Sequence, residues 1–301
     1  LRVVGRRAAT DPPRRRNAYT AGRPRESVKQ YPPIPEVGSE SAPDFEGHLW
    51  LLEAVEGSVL RFRLRESGAI RFGGPRRPYR DDEVPRACRR AVRHVRERLD
   101  RGALRDAVDD VTAYTFVGRA THRERIDYDW GRLPPFLGLD VCSADEGPRP
   151  PDAAEGIFER LGLSPVNAVE REVRARDFDP ERYEMPASAW YDGPAAGVVI
   201  RDKRGNRAQL KNLEISEPSE GSIPAADATE LAERIATDQR FERVVTRLRD
   251  RGWEPSVDEL CDRVLADAYR DEHGRLFGSD APVEETALRT AVARRAGAFL
   301  G

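Results

Sequence analysis

The chain has 301 residues, a formal net charge of −2, 35% charged residues and a mean hydropathy of −0.68. That length supports one large domain and a smaller one, each able to bury a core. No apolar run approaches the roughly 18 residues a membrane span needs, and no apolar stretch follows the basic N-terminal residues, so neither a span nor a secretory signal is expected.

In chain order, residues 1–27 carry eight arginines against Asp11 and Glu26, with prolines and little apolar content. This predicts a disordered basic arm that can touch phosphates but cannot fold alone. VKQYPPIPEV from Val28 reads like a natural protein start, which leaves the arm as either an appended fragment or a genuine part of the protein. From 48 to about 73, HLWLLEAV and VLRFRLRE alternate around Glu56-Gly57-Ser58, which predicts two strands. AIRFG reads as a third strand after the Ser67-Gly68 turn. Residues 84–100 put Val84, Cys88, Val92, Val95 and Leu99 on one helical face. Their arginines read as a solvated face, with a phosphate-tracking surface for RNA as the sharper alternative.

VTAYTFVGRA and FLGLDV read as central strands, and PDAAEGIFERLG as a helix closed near Gly162. AAGVVIRD and RAQLKN flank Lys203-Arg204-Gly205-Asn206 as a hairpin. Residues 216–225 form a Ser/Pro/Gly linker. Beyond it, Leu231, Ile235, Phe241, Val245 and Leu248 recur at helical spacing, Ser256 and Glu259 predict a capping box, and a last helix ends at RRAGAFLG. The expected division is therefore an arm over 1–27, a mixed domain over 28–215, the linker, and a helical domain over 226–301.

Lysine occurs only at Lys29, Lys203 and Lys211, so 48 of the 51 basic residues are arginine. With abundant Ala, Gly, Pro and Asp, this suggests GC-rich coding and a salt-adapted host. Chemistry that needs an amine has three candidates. Cys88, Cys142 and Cys261 are widely separated and have no zinc-ligand spacing. Buried thiols in a reduced, cytoplasmic protein are the expectation. His48, His94, His122 and His273 are dispersed, and no metal site is predicted from them; a surface or core role is expected for His122.

Four segments stand in a telling order: Glu53-Ala54-Val55-Glu56-Gly57, FVGRATH at 116–122, AAGVVIR at 195–201, and Gln209-Leu210-Lys211. In that order and spacing the chain resembles the ATP-dependent RNA ligases of the RNA ligase 2 type, within the covalent nucleotidyltransferase superfamily, over about residues 29–215. The helical tail is similar to the small C-terminal domain of archaeal-type members. The resemblance implies an α+β fold: an ATP-grasp-like nucleotidyltransferase domain of antiparallel sheets with flanking helices, plus an all-helical C-terminal domain. It implies ATP and magnesium as cofactors, RNA as partner, and a three-step reaction. A lysine takes AMP from ATP, AMP passes to an RNA 5'-phosphate, and a 3'-hydroxyl displaces it.

This sequence departs from the family pattern at four positions. Ala54 occupies the nucleophilic lysine's place in Lys-x-x-Gly, and a phosphoramidate cannot form on a methyl group. Arg119 replaces the carboxylate of Phe-x-Gly-Glu that is expected to hold the ribose. Ala196 replaces the metal-organising glutamate of Glu-Gly-Val-Val, and Gln209 the first lysine of Lys-x-Lys. An arginine expected after IRFG falls out of register at Arg76 or Arg77. Glu53, Gly57 and Lys211 remain as cofactor-binding candidates, with Glu53 toward an adenine amine and Lys211 toward phosphate. Asp140 reads as a neighbour of sugar or metal, or as a strand-end cap. Lys203 reads as a solvated charge. The expectation is a ligase fold without ligase chemistry, at most binding nucleotide or RNA. The alternatives are an active ligase with a substitute lysine and a non-enzymatic scaffold.

Overall fold

A computed structural model describes residues 31–215, 227–277 and 284–301. The expected arm and linker lie outside these residues. The architecture is α+β, with two antiparallel sheets, flanking helices and a helical C-terminal region.

A four-stranded sheet has the order β7-β1-β8-β9, from Ala168–Arg174 (β7), His48–Glu53 (β1), Gly197–Asp202 (β8) and Arg207–Lys211 (β9). A five-stranded sheet has the order β3-β2-β4-β5-β6. Its strands are Ile70–Gly73 (β3), Gly57–Leu64 (β2), Tyr114–Thr121 (β4), Phe136–Ser143 (β5) and Gly147–Pro148 (β6). VTAYTFVGRA and FLGLDV, read as central strands, are β4 and β5, and the helices Arg86–Arg98 (α1) and Pro151–Arg160 (α3) pack on this sheet, with Arg101–Ala107 (α2) beside them.

Alternation decides which side chains go where. Leu60, Phe62, Leu64, Phe116 and Phe136 point outward to Cys88, Val92 and Val95 of α1 and Phe158 of α3, with Phe62 stacked on Phe116 at 4.9 Å. β1 is apolar at consecutive positions because both of its faces are covered. Leu49 and Leu51 meet Phe45, Val173 and Tyr183 on the outer side, while Trp50 and Leu52 face the layer between the sheets with Val199 and Leu137. Gly57, at φ 134°, opens β2 where a Cβ would collide with the Ala120 carbonyl, so only glycine lets β2 approach β4 there.

The C-terminal region contains Ala228–Ile235 (α4), Asp238–Arg249 (α5), Val257–Asp271 (α6), His273–Phe277 (α7) and Glu285–Leu300 (α8) around Phe241, Leu260, Val264 and Val292. The helical pattern over 228–249 divides at Thr237, whose hydroxyl caps α5 by accepting from Arg240 N. The capping box expected at Ser256 is half formed. Ser256 Oγ accepts from Glu259 N, but the Glu259 carboxylate turns to Arg263 Nε at 2.5 Å.

Most of the arginine face of α1 is ion-paired rather than free in solvent, while Arg96 and Arg98 stay exposed. Arg86 and Arg89 bind Glu285 at 2.7 and 2.5 Å, Arg90 binds Asp267 at 2.7 Å, and Arg93 reaches Glu259 at 3.7 Å. From α6, Arg270 enters the mixed region and donates to Leu133 O at 2.6 Å, Thr121 Oγ1 at 3.0 Å and Trp130 O at 3.2 Å. Burial lowers its guanidinium to about 10. No helix among the described residues is long and apolar enough to cross a membrane.

Candidate functional site

The layer between the sheets is lined by one face of each. On β2 and β4 the inward positions pair in register as Gly57 with Thr121, Val59 with Arg119, and Arg61 with Val117. On β8 and β9 the corresponding pairs are Gly197 with Lys211, Val199 with Gln209, and Arg201 with Arg207. The four segments singled out in the sequence therefore converge on one end of the layer. Ala54 N donates to Gly197 O at 2.9 Å, and Asn212 N donates to Ala196 O at 3.0 Å, which ties the four-stranded sheet's half together. Arg119 Nη1 donates to Gly57 O at 2.9 Å across the other half.

Within this convergence, the side chains that remain are already engaged. The Glu53 carboxylate accepts from Ser188 Oγ at 2.6 Å, Asn167 Nδ2 at 3.0 Å and Ala189 N at 3.2 Å. It is 1% exposed. Glu56, which sequence reasoning passed over, accepts from the backbone N–H of Arg125, Ile126 and Glu124 at 2.8 to 3.0 Å, and from Arg125 Nε at 3.0 Å. Two carboxylates thus clamp the segment carrying Ala54 from both sides. Ala54 and Ala196 both pack against the cluster of Leu52, Val55, Tyr128 and Val199, together with Trp190 and Tyr191. Tyr128 meets Trp130 and Tyr191 edge-on at 5.6 and 5.5 Å. Burial raises the phenol pKa of both Tyr128 and Tyr191.

Arg119 sits where a carboxylate was expected, and burial lowers its pKa, with Glu124 opposing that shift. Glu124 itself is raised by burial and by Glu56. Lys211 is exposed and ion-paired to Glu36. Lys203 is exposed, as expected of a solvated charge, and pairs with Glu172 at 2.8 Å. Lys29 lies outside the described residues. Arg76 and Arg77 are exposed at the β3 edge of the sheet, and Arg77 binds Glu83 at 3.2 Å. His122 is buried, with Nε2 2.9 Å from Ser58 Oγ and its ring 4.4 Å from that of His273. Burial and then His273 lower its pKa to about 4.

Asp140 is neither a cap nor a free ligand. It is fully buried in β5, bound by Arg201 at 2.5 Å and Arg207 at 2.8 Å, and it accepts from the Tyr31 hydroxyl. The alternation VLRFRL held the signal for the inward arginines of β2, since Arg61 and Arg63 occupy the face opposite Leu60, Phe62 and Leu64. The partner of Asp140, 61 residues away in sequence at Arg201, left no local trace.

These residues do not fit a reacting ATP and magnesium pair. Position 54 offers no amine, position 196 no carboxylate, and the Glu53 oxygens are held by three internal donors. Among the described residues, no group of three or more His, Cys, Asp and Glu side chains converges as a metal site.

No family model and no curated protein matches the chain. Solved structures do. An archaeal ATP-dependent RNA ligase matches in one form at 14% identity and TM-score 0.43, over 83% of this chain and 64% of that one. Its second form matches at 15% identity and TM-score 0.42, over 89% and 63%. A Naegleria gruberi RNA ligase solved with PPi matches at 13% identity and TM-score 0.43, over 56% and 50%. This chain thus spans less than two thirds of the length of these proteins, and at such scores they assign it no activity.

Proposed function

We propose that the chain is an RNA-ligase-like protein that binds RNA or nucleotide without forming lysyl-AMP. The observation that carries this reading is the clamped segment Glu53–Gly57. It stands in the register of a nucleophile motif, yet it presents a methyl group at position 54 and two internally bound carboxylates beside it. Its place in the ligase family rests on the order and spacing of the four segments, which the fold brings to one end of the inter-sheet layer.

No described lysine is placed to substitute. Lys211 is paired with Glu36, and Lys203 with Glu172, whose carboxylate favours the protonated, non-nucleophilic form of Lys203. Contact with RNA falls to arginines that α1 does not consume in ion pairs. Arg65, Arg71 and Arg76 are exposed along the β3 edge and supply sequence-independent phosphate contacts.

The test combines a binding and a joining assay on the full chain. Single-stranded RNA should be retained with an affinity that falls steeply with salt, and Arg71→Gln should reduce both affinity and salt slope. With ATP and magnesium, 5'-phosphorylated RNA should yield no joined product. Joined product from the purified protein would overturn the reading.

A further inference from the structure

The end of the inter-sheet layer opposite Ala54 holds a second feature that the ligase resemblance does not use. A cavity of about 430 Å³ opens there between Arg61, Arg63, Arg207, Tyr31, Thr115 and Ser143. From this arrangement we infer that the cavity is a binding site for a small organic phosphate monoester with a flat or apolar body.

Charge is the first reason. Three guanidinium groups, those of Arg61, Arg63 and Arg207, line the cavity, and behind it Arg207 shares the Asp140 carboxylate with Arg201. Arg201 binds Asp140 at 2.5 Å with both side chains 1% exposed, so that carboxylate is already neutralised before Arg207 reaches it at 2.8 Å. Asp110, whose carboxyl is held low mainly by Thr112, is exposed and reaches Arg63 only as a minor influence. Arg63 and the Arg201–Asp140–Arg207 group by themselves leave this region cationic by more than one charge. Holding such charge away from water is costly unless an anion compensates it, and a dianion compensates it better than a monocarboxylate.

Donor geometry is the second reason. Arg63 Nε is buried and has no hydrogen-bond partner, a costly state for a charged donor. Arg61 Nε donates to Gly74 O, and burial lowers its pKa, with Tyr79 opposing that shift and the like charge of Arg63 adding to it. The hydroxyls of Thr115 and Ser143 add donors of the kind that complete a phosphate's coordination.

The rest of the wall selects what the phosphate is attached to. Val117 and Pro148 give apolar surface, and the Tyr31 ring lies beneath the Arg207 guanidinium at 3.8 Å. Tyr31 is fixed through its hydroxyl to Asp140, and Arg207 through the same carboxylate, so this wall is built before any ligand arrives. A site of this volume and mixed lining suits an organic body rather than inorganic phosphate alone.

Phenyl phosphate is the probe, with inorganic phosphate and benzoate as comparisons, titrated into the full chain without ATP by calorimetry and thermal unfolding. Phenyl phosphate should bind saturably and raise Tm. Benzoate should bind about tenfold more weakly, and inorganic phosphate more weakly than phenyl phosphate. Arg63→Gln should weaken phenyl phosphate about tenfold or more, and Thr115→Val by a smaller factor. Arg182→Gln, at an arginine whose side chain is 89% exposed, should change nothing. If Arg63→Gln does not fold, the Arg63 Nε–H resonance of the unaltered protein should shift with phenyl phosphate and saturate with the calorimetric Kd. No saturable binding up to roughly 10 mM, equal binding by Arg63→Gln, equal binding of benzoate, or an unmoved Nε–H signal would each overturn the inference. None of these outcomes depends on what Ala54 can do.

Discussion

Position 54 carries a methyl group, with no atom that could bond phosphorus, and the carboxylates beside it are held by internal donors. Under the proposed reading, a lysine placed at 54 would find no carboxylate at Ala196 and no cation at Gln209. Ala54→Lys is expected to give no detectable nucleotidylation, measured by intact-protein mass after incubation with ATP and magnesium. Glu56→Ala should cost about 3 kcal/mol in urea unfolding, because three backbone N–H groups, that of Ile126 buried, and the Arg125 guanidinium lose their acceptor. At this scale the sequence showed which side chains were missing, because identity is written in the chain. It did not show that Glu53 was spoken for, because Ser188 and Ala189 come from a loop 135 residues later.

At the scale of elements, α1 shows why an apolar stripe is easier to read than a polar one. Cys88, Val92 and Val95 are buried at their predicted helical spacing, since an apolar face has one outcome in water. An arginine face has two. It can meet solvent, or it can meet carboxylates on an element far along the chain, as Arg86, Arg89 and Arg90 meet Glu285 and Asp267. The same indeterminacy hid Arg270, which reads as one more charged residue near the end of a helix. Arg270→Met should cost about 3–5 kcal/mol by urea unfolding, since the acceptors at Thr121, Trp130 and Leu133 lose their donor in a buried setting. The half-formed cap at Ser256 has the same origin: Glu259 had better-placed cations in Arg263 and Arg93 than its own helix start.

For the molecule as a whole, the contacts between the C-terminal helices and the sheets are sensitive to acid. His122, with a pKa lowered to about 4, meets His273 of α7, and His94, lowered to about 3 by burial and then by Arg90, Arg98 and Arg270, lies on α1 facing α6. The unfolded chain takes these protons near the ordinary histidine value. Stability from each histidine is therefore complete above about pH 6.5 and is lost as pH falls toward 4, by up to about 1.4 kcal/mol per pH unit. Asp271, raised to about 6 by burial, and Glu124, raised by burial and Glu56, act in the opposite sense, but His122, His94 and His273, all lowered by burial, outnumber them. Urea midpoints should fall between pH 6.5 and 5, and His122→Gln should make that fall shallower. The two-sheet layout and the helical tail were legible because strand alternation, turn residues and helical spacing agreed along the chain. The charged joint between them was not, because its partners are separated by up to 199 residues.

The account depends most on the claim that this protein does not take up AMP covalently. Incubation of the purified full chain with α-labelled ATP and magnesium, followed by denaturing electrophoresis, tests it most directly. The account predicts a gel lane with no label at the protein's mass. A labelled band there that survives denaturation would contradict it.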